Sequence, residues 1–70
     1  MNEIIFIVEK SIEGGFCAHA LNHSIMTEAE DLAELKVNIK DAVKCHFDND
    51  NDTPKVIRLH MVIDEVFSYA

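Results

Sequence analysis

The chain has two glycines, Gly14 and Gly15, and they are adjacent between two strand-like runs. Ile4-Ile5-Phe6-Ile7-Val8 precedes them and Phe16-Cys17-Ala18-His19-Ala20-Leu21 follows. Glycine enters positive φ without steric cost, so a pair of glycines between β-rich runs predicts a tight hairpin. That hairpin opens an order that can be followed along the whole chain: strand, strand, short strand, helix, long strand.

The first strand is predicted over about Glu3 to Glu9. Its centre is apolar on both faces, which is the pattern of a central strand covered on both sides. The second, Phe16 to Leu21, is the antiparallel return; Asn22-His23 breaks it, and Ser24-Ile25-Met26-Thr27 reads as a short third antiparallel strand. Asp31 followed by Glu34 has capping-box spacing. Glu28, Glu30 and Asp31 add negative charge at the positive end of the helix dipole. From there Leu32, Leu35, Ile39, Ala42, Val43 and Phe47 share one helical face, while Lys36, Lys40 and Lys44 form a neighbouring stripe. Asp48-Asn49-Asp50-Asn51-Asp52-Thr53-Pro54 is a loop of turn formers. The last strand is predicted from near Lys55 to about Tyr69. Ile57, Leu59, Met61 and Ile63 mark one face, with Val56, Arg58, His60, Val62 and Asp64 on the other; a bulge is expected at Asp64-Glu65.

Length makes the last strand informative. At roughly 3.3 Å per residue, Val56 to Phe67 would span about 40 Å, about twice the first two strands. The overhang is expected to pair with or pack against another copy. Seventy residues make one domain, covering 1–70. A domain of this size buries only roughly 60% of the surface its unfolded chain exposes, so it needs a staple. Cys17 and Cys45 fall in a strand and in the helix, where buried reduced thiols are expected rather than a disulfide. Association with another chain is the leading staple. The N-terminus has no basic leader pattern and no apolar run approaches the roughly 20 residues that span a bilayer, so a cytoplasmic protein is expected.

Net charge is −7 with six basic side chains. Such a surface repels phosphate backbones, which argues against a direct nucleic-acid partner. It suits a basic protein partner; it also serves plain solubility.

The reactive residues form no recognisable site. Asp48, Asp50 and Asp52 start a calcium-loop pattern, but position six is Thr53 and position twelve is Leu59. His19, His23, His46 and His60 lack zinc-type spacing. His46 is expected at the core edge of the helix. Cys45 and His46 are sequence neighbours, and side chains one apart on a helix diverge by about 100°. No cofactor, metal or catalytic residue is therefore expected. The surface that most resembles a functional one is the end of the chain: Arg58, His60, Met61, Val62, Val66, Phe67 and Tyr69. The competing reading is a small enzyme or ligand-binding subunit with a site at an oligomer interface, using His19, His60 or Asp64.

Taken together the residues resemble the HicB-like antitoxin domain family over nearly the whole chain. The anchors are Glu3-Ile4-Ile5-Phe6-Ile7-Val8-Glu9, the turn Glu13-Gly14-Gly15-Phe16, and the helix entry Ala29-Glu30-Asp31-Leu32-Ala33-Glu34-Leu35 leading to Ile39-Lys40-Asp41-Ala42-Val43. Cys45-His46-Phe47 and Pro54-Lys55-Val56-Ile57-Arg58-Leu59-His60 are similar to a short branch of that family. The resemblance implies an α+β fold of order β-β-β-α-β: a three-stranded antiparallel sheet, one helix packed across it, and a long final strand beside the first, a partial RNase H-like arrangement. It also implies a cytoplasmic, non-catalytic protein that forms homodimers or higher homo-oligomers. Fuller HicB antitoxins neutralise HicA, a small basic RNA-cleaving toxin. Two departures stand out. The family's C-terminal DNA-binding segment is expected to be lacking, and Leu21-Asn22-His23-Ser24-Ile25 replaces its Pro-x-x-Pro-Gly stretch.

Overall fold

The computed structural model describes residues 2–63 and 66–69. Four strands and one helix follow in the order β1 (Glu3–Lys10), β2 (Phe16–Ala20), β3 (Met26–Ala29), α1 (Leu32–His46) and β4 (Val56–Val62). The strands form a single sheet of order β3-β2-β1-β4. β2 lies antiparallel to β1 and to β3, whereas β4 lies parallel to β1. The expected three-stranded antiparallel sheet is thus one part of a four-stranded mixed sheet. Parallel neighbours require a long crossover; here β2, β3 and α1 fill it.

The glycine pair closes the β1–β2 turn. Gly14 and Gly15 have φ of +101° and +80°. The Ser11 amide donates to the Gly15 carbonyl at 3.0 Å, and the Gly14 amide donates to the Ser11 carbonyl at 3.1 Å. Asn22, at φ +66°, turns the chain out of β2; asparagine tolerates this left-handed region better than most residues.

Alternation along β1 sends Ile4, Phe6 and Val8 into the core, with Ala18 and Ala20 from β2, Ile25, and Leu35, Ile39 and Val43 from α1. The small alanines of β2 let the helix approach the sheet closely. α1 lies over β2 and β3. Its entry is as expected: the Glu34 amide donates to Asp31 Oδ1 at 2.7 Å. Asp31→Ala is expected to lower unfolding free energy by about 1 kcal/mol, because one orphan amide loses its acceptor. Chemical denaturation of the two proteins checks this.

Four expectations are corrected. β1 is central, but α1 covers only one of its faces, and Ile5 and Ile7 on the other are half-buried. The third strand lies two residues later than expected at each end, at Met26–Ala29, because Ile25 turns inward to the core and the Ala20 amide bonds its carbonyl. The long last strand ends at Val62, where its pairing with β1 runs out; the bulge expected at Asp64-Glu65 lies outside the described residues. Cys17 and Cys45 are free thiols, but both are exposed. Cys17 pairs with Glu9 on the uncovered side of the sheet, and Cys45 sits two residues from buried Val43, turned away from the core.

Candidate interaction surface

The register orders the uncovered face of the sheet into rows. Ile7 lies opposite His19 of β2 and His60 of β4, and His19 lies opposite Met26 of β3. The next row holds Glu28, Cys17, Glu9 and Val62. On the other side of the His60 row, Ile5 lies opposite Arg58, and beyond them Glu3 lies opposite Val56. Alternation therefore collects half-buried Ile5, Ile7 and Val62 with exposed Met26 and Val56 on one face.

One ion pair borders this strip. Arg58 reaches diagonally to Glu3, with Nε donating to Oε1 at 2.6 Å and the terminal nitrogen donating to Oε2 at 3.4 Å. The hydrogen bond from Arg58 is the larger cause that holds the Glu3 carboxyl below its usual range, and its positive charge adds to it. Glu3 raises the Arg58 guanidinium in return. A depressed carboxyl contributes stability that is present above its unfolded pKa and is lost as pH falls through its folded pKa. Glu3→Gln is therefore expected to flatten the acid limb of the stability profile. The effect should be small and weakened by salt, since the pair is exposed; acid titration at low and high salt measures it.

The helix-facing side of β4 is also incompletely covered. Ile57 and Leu59 touch the core and are half-buried, while Met61, next in the alternation, is 40% exposed. Because α1 sits over β2 and β3, a groove of about 190 Å³ remains between α1 and β4, lined by Lys36, Ile39, Lys40, Ile57 and Leu59. Beyond β4, Ile63, Val66, Phe67 and Tyr69 are 84%, 94%, 83% and 105% exposed. The molecule measures 55 × 20 × 18 Å with a radius of gyration of 14.0 Å, against about 11 Å for a compact chain of this length.

Of the residues expected to interact, Arg58, His60 and Val62 share the uncovered sheet face, and Val66, Phe67 and Tyr69 follow β4 as an exposed segment. His19 and His60 flank Ile7 in one row, and Asp64 lies outside the described residues. His46 is exposed rather than at the core edge. It meets His23 and Phe47 edge to face, with ring centroids 5.6 and 4.9 Å away. Among the described residues no group of three or more His, Cys, Asp or Glu side chains could hold a metal ion. In the acidic loop the Asn49 carbonyl accepts from the Asp52 and Thr53 amides and from the Thr53 hydroxyl, and Asn49 Oδ1 accepts from the Asn51 amide. Among the described residues no helix is long and apolar enough to cross a membrane. The groove over β4 was missed from sequence. Its one signal was Lys36 and Lys40 flanking Ile39 on α1.

Two curated relatives are similar to this chain. One is a UPF0150 protein of Archaeoglobus fulgidus, 49% identical over 53 residues, 76% of this chain and 77% of the relative. Another is a UPF0150 protein of Thermotoga maritima, 42% identical over 62 residues, 89% of this chain and 86% of the relative. No family model matches the chain, and no solved structure does.

Proposed function

The chain belongs to the UPF0150 family, and we propose that it is a non-catalytic protein-interaction domain, HicB antitoxin-like, that acts in the cytoplasm by associating with copies of itself and neutralises a small basic toxin. The observation that carries this reading is the run of exposed apolar residues that follows the half-covered β4 in the chain. Ile63, Val66, Phe67 and Tyr69 are almost wholly exposed. Exposed apolar residues grouped in this way mark protein–protein contacts, membrane contacts or ligand-binding grooves. The net charge of −7 fits a basic partner. A central β1 with an antiparallel β2 and a parallel β4 supports the partial RNase H-like arrangement that the HicB resemblance implies.

The test is a pull-down of the tagged chain from lysate of its native cell, with mass spectrometry of what is retained. The expected result is the chain's own untagged copy together with a small basic protein. Recovery of its own copy alone would overturn the toxin part and leave self-association standing. A monomer at micromolar concentration by sedimentation would overturn self-association.

A further inference from the structure

We propose that two copies exchange the segment from Ile63 to Tyr69, each laying it along the outer edge of the other's β4 and seating Phe67 in the groove between α1 and β4. This rests on the reading of the chain as a self-associating domain and specifies the surfaces that meet.

β4 is the end strand of the sheet order, so its outer backbone edge offers donors and acceptors to an added extended segment. An added strand also places alternate side chains over the helix-facing side, where Ile57 and Leu59 are only partly covered. The groove there is about 190 Å³; a cavity of about 150 Å³ takes a benzene molecule, so one phenyl ring fits.

Charge selects this occupant. Lys36 and Lys40 flank the groove and are two of only six basic residues in a chain of net charge −7. The segment carries Asp64-Glu65 directly before Val66-Phe67. On most of this acidic surface such a segment would meet like charge; beside Lys36 and Lys40 it meets the opposite sign.

Area and reach favour exchange over folding back. Two buried aromatic side chains remove about 150–250 Å² each. Two reciprocal segments, with the strand edges they cover, approach the ~1,200 Å² at the lower end of stable interfaces. To reach its own groove the chain would have to reverse between Val62 and Val66, through a stretch without glycine or proline. Reciprocal exchange closes as a two-fold dimer in which the same surfaces meet twice.

Sedimentation equilibrium of the full chain, Phe67→Asp and Lys40→Glu tests the contact. Both altered positions lie outside the buried core, so folding should survive and circular dichroism checks that it does. Loss of a central aromatic anchor is expected to raise the dimer Kd by about thirtyfold or more, and Lys40→Glu by about fivefold. Exchange itself is read by cross-linking in a Cys17→Ser, Cys45→Ser background. Copies carrying Phe67→Cys, mixed with copies carrying Leu59→Cys, should form a disulfide between unlike chains on mild oxidation. A disulfide within one chain carrying both cysteines, under dilution that prevents dimers, would overturn exchange. So would a dimer whose Kd is unchanged by Phe67→Asp, while leaving self-association intact. A chain that stays monomeric, or binds only a different protein, removes the reading on which the exchange rests.

Discussion

Phe6→Ala is expected to cost the domain about 3–5 kcal/mol, roughly half of its stability. Phe6 is fully buried at the centre of β1 and belongs to the core with Leu35, Ile39 and Val43. Truncating a phenyl group in such a place costs about 3–5 kcal/mol through lost transfer energy and the cavity left behind. A domain of this length has roughly 4–10 kcal/mol of stability in all. The substitution therefore removes a large part of the total, and any contribution from dimerisation goes with it, since a partner binds only the folded form. Urea denaturation followed by far-ultraviolet circular dichroism measures the loss. Val37→Ala is the comparison: Val37 is 58% exposed on α1, and its truncation should change stability by no more than about 0.5 kcal/mol. Equal losses at Phe6 and Val37 would contradict the core described above.

The second large effect separates two adjacent glycines. Gly15→Ala should destabilise the protein by about 2–4 kcal/mol, and Gly14→Ala by about 1–2 kcal/mol. Both residues have positive φ, which costs an L-residue with a side chain about 1–2 kcal/mol. They differ in surroundings. A Cβ at Gly14 meets nothing within 4 Å, whereas at Gly15 it would stand 2.7 Å from the carbonyl oxygen of Ala29. That oxygen is backbone at the end of β3, where Phe16 pairs with Ala29. It cannot move without disturbing the β2–β3 pairing. Thermal unfolding of the two single variants, measured side by side, gives the ratio. A loss at Gly14 equal to that at Gly15 would show that backbone conformation alone governs the turn.

The comparison of these glycines shows what local pattern can and cannot say. Their adjacency between β-rich runs was enough to locate the hairpin. The close approach of Ala29 to Gly15 was invisible, because it joins residues fourteen apart through the pairing of a third strand. α1 was legible almost to the residue, since Asp31, Glu34 and the 3.6-residue spacing of Leu35, Ile39 and Val43 are local signals. β3 was misplaced by two residues: a four-residue strand carries too few side chains for its alternation to fix register.

The candidate surface was half legible. Arg58, His60 and Val62 do share one face of β4, as the alternation predicts, and Val66, Phe67 and Tyr69 are apolar residues after it. The length of β4 was not legible. Ile57 to Ile63 alternate without interruption, and nothing in that pattern marks Val62 as the end. The end is set by β1, whose pairing with β4 runs from Glu3 to Glu9. For the same reason Lys36 and Lys40 beside Ile39 do not by themselves mark the groove over β4. It exists because the one helix of the described chain lies toward β3 and leaves the opposite side of the sheet uncovered.

Order of elements, helix limits and the two faces of β4 follow from steric preference and hydrophobic period, which act over a few residues and are written in the chain itself. Parallel pairing of β4, the single covered face of the sheet, the placement of α1 and the tightness around Gly15 arise from contacts between distant segments. Backbone pairing and side-chain packing settle those only when the segments meet, and it is they that leave Ile57 and Leu59 half-covered and Ile63, Val66, Phe67 and Tyr69 exposed.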